Sequence, residues 1–197
     1  MGKEVEFYFD VGSPAAYLAW TQLPAIAQEA GAGIVYKPFL LGGVFQATGN
    51  RSPMEVPAKG KYMQADLERF ARRYGVPFCH NPHFPINTLA LMRVALGLQL
   101  REPQKMRPYV DAVFRAIWVD RKDMNDPAVV ASVLQQAGFD PRQLLALAAD
   151  PEVKEQLKAT TQEAVVRGVF GAPAFFVGGH LFWGQDRLDF VKQELQS

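Results

Sequence analysis

Near the N-terminus apolar side chains crowd together. Glu4 to Val11 (EVEFYFDV) carries aromatic and β-branched residues at strand density, and Gly12-Ser13-Pro14 ends the run abruptly. A helical period follows. Tyr17, Leu18, Leu23, Ile26 and Ala27 form a stripe at helix spacing that lasts to Gly31. Ser13 is a favoured N-cap, and Pro14 suits the first helical position because its missing N–H would be unpaired there anyway. Ile34 to Leu41 (IVYKPFLL) then predicts a second strand, which Pro38 places at an edge or a bulge because proline donates nothing to a ladder.

From Gly42 the pattern changes. Gly42-Gly43, Gly49-Asn50-Arg51-Ser52-Pro53 and Val56-Pro57 punctuate a loop-rich stretch before helical periodicity resumes over Tyr62 to Tyr74. Further helices are expected over Asn87 to Leu100, Pro108 to Val119, Pro127 to Ala137, Pro141 to Ala149 and Pro151 to Val166, several opened by proline or a capping residue. Two short strands close the pattern, Ala174 to Val177 and His180 to Trp183, joined by Gly178-Gly179, a dipeptide suited to a two-residue hairpin turn. A last helix starts near Asp186. Setting the middle aside leaves β-α-β followed by α-β-β-α, so the expected class is α/β, a thioredoxin-like fold with a helical insertion. On this division 1–41 and 151–197 form the thioredoxin-like domain, and 42–150 the inserted, mainly helical one.

Composition narrows the partners. Lys and Arg number 21 against 20 Asp and Glu, a formal charge of +1 that offers no general attraction to nucleic acid or to anionic lipid. Apolar residues make up 49% of the 197, enough to bury a core without staples. Cys79 is the single cysteine, which excludes both a disulfide framework and a redox Cys-x-x-Cys pair. Neither a signal-peptide core nor a membrane span is evident in the run from Met1, and Gly2 is no myristoylation site because Glu6 stands where Ser or Thr is needed. The expectation is a cytoplasmic protein.

Four short elements could carry chemistry. Ser13 lies at a strand-to-helix turn, where free N–H groups and the helix dipole favour an anion, although an isolated Ser-Pro is most simply an N-cap. Pro173 opens a strand just after Gly171-Ala172. Alone it predicts a trans bond, since only about 5–6% of X-Pro bonds in folded proteins are cis. In a thioredoxin arrangement, a cis Pro173 would turn the backbone groups of Ala172 toward the tip of the first helix, where a peptide-like ligand could pair. Trp183-Gly184-Gln185-Asp186-Arg187 is another strand-to-helix junction, offering N–H groups to a carboxylate and Asp186 to an ammonium, or a plain helix cap. Asn50 and Lys59 stand in the loop-rich start of the insertion.

Taken in order, FDVGSPAAYLA (9–19), FLLGGVFQATGN with PAKGKYM (39–50 and 57–63), GVFGAPAFFV (168–177) and FWGQDRL (182–188) resemble the kappa-class glutathione transferases and the related 2-hydroxychromene-2-carboxylate isomerases, over nearly the whole chain. The resemblance implies a DsbA-like thioredoxin fold with a helical insertion, a glutathione site and a homodimer. Carried onto matching positions, it makes Ser13 the thiol-activating hydroxyl and Ala172 with Pro173 a backbone clamp on the cysteinyl part. Asn50 and Lys59 would grip the glycyl end, and Gln185 with Asp186 the γ-glutamyl end. This chain departs from the family at Ala15-Ala16, where a bulkier Tyr-Ser type pair is common, at Ala172, where Val or Leu is frequent, and at Gln185, where Ser or Asn is common.

A metal site is not expected. Cys79-His80-Asn81-Pro82-His83 is short and proline-broken, with no second ligand cluster to complete it. Cys79 is expected as a small buried hydrophobe, Trp118, Trp183 and Phe84 as core, and His83 with Asn87 as pocket lining or a helix cap. The activity that the resemblance implies is glutathione-dependent isomerisation of 2-hydroxychromene-2-carboxylate to trans-o-hydroxybenzylidenepyruvate, through reversible thiolate addition. Its rivals are kappa-type transfer of glutathione to electrophiles or reduction of peroxides, and a cysteine-less thioredoxin-fold module that binds peptides.

Overall fold

The computed structural model describes residues 3–197, so the readings at Met1 and Gly2 lie outside the described residues. Strand β1 (Glu4–Phe9) leads into helix α1 (Pro14–Glu29) and returns as β2 (Gly33–Pro38), parallel to β1. After the helical middle, β3 (Ala174–Val177) runs antiparallel to β1 and pairs with β4 (His180–Trp183), giving the order β2-β1-β3-β4. This is a thioredoxin fold. β2 takes an edge of the sheet, the place Pro38 requires. Gly178 and Gly179 both have positive φ, 56° and 90°, so the β3–β4 hairpin turns in two residues without a Cβ penalty.

The alternation along β1 sends side chains to two cores. Val5, Phe7 and Phe9 face a large one shared with α1 and the helical middle, while Tyr8 faces a smaller one with Phe39, Val44, Ala164 and Phe176. Phe7 stacks on Phe175 at 5.1 Å between ring centroids, and Phe9 packs on Trp20 at 5.1 Å. Each such ring, fully removed from water, contributes about 2–3 kcal/mol.

The middle departs from the expectation in two places. Leu41, expected to end the second strand, opens α2 (Leu41–Thr48), and residues expected as loop form the rest of it, a 3₁₀ turn (Pro53–Glu55) and the start of α3 (Pro57–Tyr74). Glycine at 42 and 43 weakens helix propensity. The helix nevertheless forms because Val44 packs into the small core, and the Leu41 and Leu40 N–H groups are held by Asp10 and Thr161. Helix α4 (Leu89–Arg101) is followed by α5 (Pro103–Trp118), which begins a full turn before the expected Pro108. Pro103 takes the first position, and Pro108 falls inside the helix.

Helices α6 (Pro127–Gln136), α7 (Pro141–Ala149) and α8 (Pro151–Val166) each open on an aspartate N-cap followed by proline. A 3₁₀ turn at Gln185–Arg187 then leads into α9 (Leu188–Gln196). Outside the small core, Arg167 grips Glu6 through two bonds of 2.7 Å and lies over the Phe176 ring at 3.8 Å, tying the end of α8 to the sheet. Among the described residues, no helix is long and apolar enough to cross a membrane.

Candidate functional site

Three connections meet at the end of β1. Ser13 is the N-cap of α1: its Oγ accepts from the Ala16 N–H at 3.1 Å, and its carbonyl accepts from Tyr17 N at 3.1 Å. The same hydroxyl donates to the carbonyl oxygen of Ala172 at 2.9 Å. Ser13 therefore caps a helix and also reaches across to the loop before β3. It is buried, at 3% exposure, so anything it holds must enter between that loop and the helix tip.

The Ala172–Pro173 bond is cis, as the thioredoxin arrangement anticipates. While the Ala172 carbonyl accepts from Ser13, its N–H finds no partner among the described residues. The Ala15 N–H, in the first turn of α1, is likewise unpaired there. Asn50, just beyond the left-handed Gly49 that ends α2, donates through Nδ2 to the Phe170 carbonyl at 2.8 Å. The Asn50 side chain thus holds the same loop from its other end.

The third connection is the turn after β4. The Gly184 N–H donates to the Pro173 carbonyl at 3.0 Å, so this turn abuts the cis proline. The N–H groups of Gln185 and Asp186 have no partner among the described residues. Only glycine fits at 184, where φ is 98° and a Cβ would lie 2.5 Å from an Asp186 carboxylate oxygen. Asp186 itself pairs with Arg187 at 2.5 Å. Gln185 is buried, and its Oε1 accepts from the Tyr74 hydroxyl at 2.7 Å. Ser13, Asn50, Ala172, Pro173, Gln185 and Asp186 are thereby linked in one continuous set. Lys59 is exposed in the first turn of α3 and bonds to none of them.

Two residues of this assembly escaped the sequence reading. Asp10 is almost wholly buried, and its carboxylate accepts from Gly12 N at 2.9 Å, Leu41 N at 2.9 Å and the Thr88 hydroxyl at 3.1 Å. It knots the serine turn to α2 and to the start of α4. Burial pushes its carboxyl upward, while those three hydrogen bonds pull it down. The available signal was a lone acid ending an apolar strand immediately before Gly-Ser-Pro. Tyr74, the last residue of α3, had no signal of its own; burial, with Asp189 and Asp186 nearby, pushes its hydroxyl up to about 12, so it remains a donor at neutral pH.

Three peripheral expectations change or find their place. Cys79 is exposed instead of buried, because exposure alternates along the extended segment 76–80: Phe78 stacks on Tyr17 and Trp118 while Cys79 faces out, its N–H donating to Trp118 O at 2.7 Å. Trp183 is 49% exposed instead of core: β4 is an edge strand, and its indole lies over Gly171 and beside Phe170, whose ring is 4.9 Å away. Asn87 stands one residue before Thr88, the N-cap of α4, and its Oδ1 accepts from Leu89 N at 3.2 Å, whereas His83 faces Asp123 at 3.4 Å. Trp118 is core, its indole N–H donating to Val11 O at 2.9 Å beneath the serine turn.

Chemically, the site offers unpaired N–H donors at Ala15, Ala172, Gln185 and Asp186, together with one hydroxyl that donates to the Ala172 carbonyl. Donors of this kind suit a peptide-like anion.

Residues 4–196 match the model of the DSBA-like thioredoxin domain. The chain is 35% identical over 99% of its length to a 2-hydroxychromene-2-carboxylate isomerase of Sphingobium xenophagum, of which it covers 99%. It is 28% identical over 96% to human glutathione S-transferase kappa 1, covering 89% of that protein. A solved structure of a 2-hydroxychromene-2-carboxylate isomerase superposes with a TM-score of 0.83 at 30% identity, covering 96% of this chain and 93% of that one. The cis proline, the helix-capping serine and the match along the whole chain lead to one conclusion: this protein belongs to the DSBA-like thioredoxin domain family.

Proposed function

We propose that the protein is a glutathione-dependent isomerase that converts 2-hydroxychromene-2-carboxylate to trans-o-hydroxybenzylidenepyruvate. The observation that carries this reading is the meeting of the Ser13 hydroxyl with the Ala172–Pro173 loop, in a chain collinear with an isomerase over 99% of both lengths. Bound glutathione would supply a thiolate that adds reversibly to the conjugated double bond of the ring-opened substrate; the bond becomes single, rotates, and re-forms as the thiolate leaves unchanged.

The chain's own part is to make that thiolate available. A free thiol with a pKa near 8.5 is mostly protonated at neutral pH, and each unit of lowering requires about 1.4 kcal/mol. Ser13 can turn its O–H from Ala172 to the sulfur, a hydrogen bond to a charged acceptor worth about 1.5–3 kcal/mol. The α1 N-terminus adds about 0.3–1 kcal/mol. The unpaired Ala172 N–H holds the peptide part in register. Gln185, fixed by Tyr74, keeps two amides turned toward a carboxylate, and Asn50 steadies the loop from behind. Lys59, exposed on the first turn of α3, would serve as a counter-charge for the glycyl carboxylate.

A second reading is kappa-type transfer to electrophiles, supported by the 28% identity to the human kappa transferase and by the glycine-rich α2. Incubating the pure protein with glutathione and a chromene carboxylate separates the two. Isomerisation predicts an ultraviolet change that needs the thiol and leaves its concentration constant. A stable adduct by mass spectrometry would establish transfer instead, and no thiol-dependent change would remove the isomerase reading.

A further inference from the structure

A recess of about 460 Å3 opens between α2, α4 and α8. Its lining joins the apolar Leu40, Leu89 and Leu157 to the cations Arg93, Lys154 and Lys158. Glu155 is the one carboxylate on its lining, and it lies 3.8 Å from Lys158. Two positive charges are therefore left over in a chain whose net charge is +1. The Arg93 Nε is buried and has no hydrogen-bond partner among the described residues. Leaving such a donor unpaired costs about 1–3 kcal/mol, more for a charged group.

We propose that this recess is a second binding site, for a small organic carboxylate with a compact apolar body. The guanidinium and the two ammonium groups take the carboxylate, and the leucines take the body. None of Ser13, Ala172, Pro173 or Gln185 lines it, so its occupant does not compete for the serine turn. The two places nevertheless share a wall. Leu41 N and the Thr88 hydroxyl both bond to Asp10, while their neighbours Leu40 and Leu89 line the recess. The inference stands on the recess alone and does not require glutathione chemistry.

Titration of the full chain with salicylate, followed by amide resonances, tests it. The expected result is saturable shifts at Leu40, Gly43, Leu89 and Thr161, with a Kd no weaker than about 1 mM. Arg93→Met should weaken binding at least about tenfold, the loss of one charge-assisted contact. Lys158→Gln, at an exposed position that folding does not depend on, should weaken it several-fold. Benzyl alcohol should give no saturable shift. The proposal is overturned if salicylate produces no shifts there, if it shifts only the Ser13 turn, if neither variant changes its affinity, or if sulfate binds as well as salicylate. Adding glutathione should leave the salicylate affinity unchanged; competition would place the ligand in the serine site and likewise overturn the proposal.

Discussion

The Ser13 hydroxyl and the Ala172 carbonyl oxygen, 159 positions apart in the chain, lie 2.9 Å apart. The contact holds the helix tip against the loop before β3, and it occupies the hydroxyl proton that a bound sulfur would need. Binding must exchange one acceptor for another, and a thiolate, being charged, is the stronger of the two. Replacing Ser13 by Ala should therefore lower turnover at saturating glutathione by about 10- to 100-fold. It should also reduce stability by about 1 kcal/mol through the lost cap, seen as a lower Tm. Unchanged turnover would remove Ser13 from the chemistry.

Asp10 organises what Ser13 stands on. Asp10→Asn keeps the shape but turns an N–H2 group toward at least one of the N–H donors that the carboxylate accepts, so about 1–3 kcal/mol of stability should be lost at pH 7. Turnover should fall more than glutathione KM rises, because the serine turn shifts while the Gln185–Asp186 amides do not. Calorimetry beside steady-state kinetics checks both.

Tyr74→Phe leaves the buried Gln185 Oε1 without its donor. The expected outcome is a rise in glutathione KM with kcat preserved, and a loss of about 1 kcal/mol in stability. An unchanged KM would show that Gln185 keeps its position without help from α3.

Acid should loosen the β1–α8 contact. The hydrogen bonds from Arg167, with its charge and that of Lys37, hold the Glu6 carboxyl below its usual 4.5 despite partial burial. Burial pulls Glu163 upward, but the Tyr8 hydroxyl and Lys37 outweigh it and leave it lowered. Groups lowered in the folded state stabilise it above their unfolded pKa, and that stabilisation is lost as pH falls through the folded value. Glu6→Gln should thus cost about 1 kcal/mol at pH 7, given the partial exposure of the pair. The difference from the natural chain should shrink below about pH 4.5, as denaturant titrations across that range would show.

Much of the fold was legible because local signals agreed with one another. Proline at helix starts, aspartate caps, paired glycines at a hairpin and proline on an edge strand each carry a backbone reason that tertiary contacts did not need to supply. Helix α2 was not legible: Gly42-Gly43 reads as a break, and the forces that make a helix of it come from Asp10, Thr161 and the far side of the small core. The same holds for Tyr74 and Asp10, whose roles exist only once α3, α4 and the turns have been brought together. At Cys79 and Trp183 residue type pointed inward, while an extended surface segment and an edge strand put them outside.

The large core has one further consequence. It runs without interruption from Phe7 and Leu18 to Met92, Phe114 and Leu144, and hydrogen bonds from Trp20 to Asp111 and from Tyr17 to Pro77 stitch α1 to the middle of the chain. We read 1–41 with 151–197, and 42–150, as two lobes by chain path. They share one interior, so neither can melt alone. Heating should give a single cooperative endotherm, and excising the inserted lobe should leave a scaffold with its main apolar face bare and prone to aggregate.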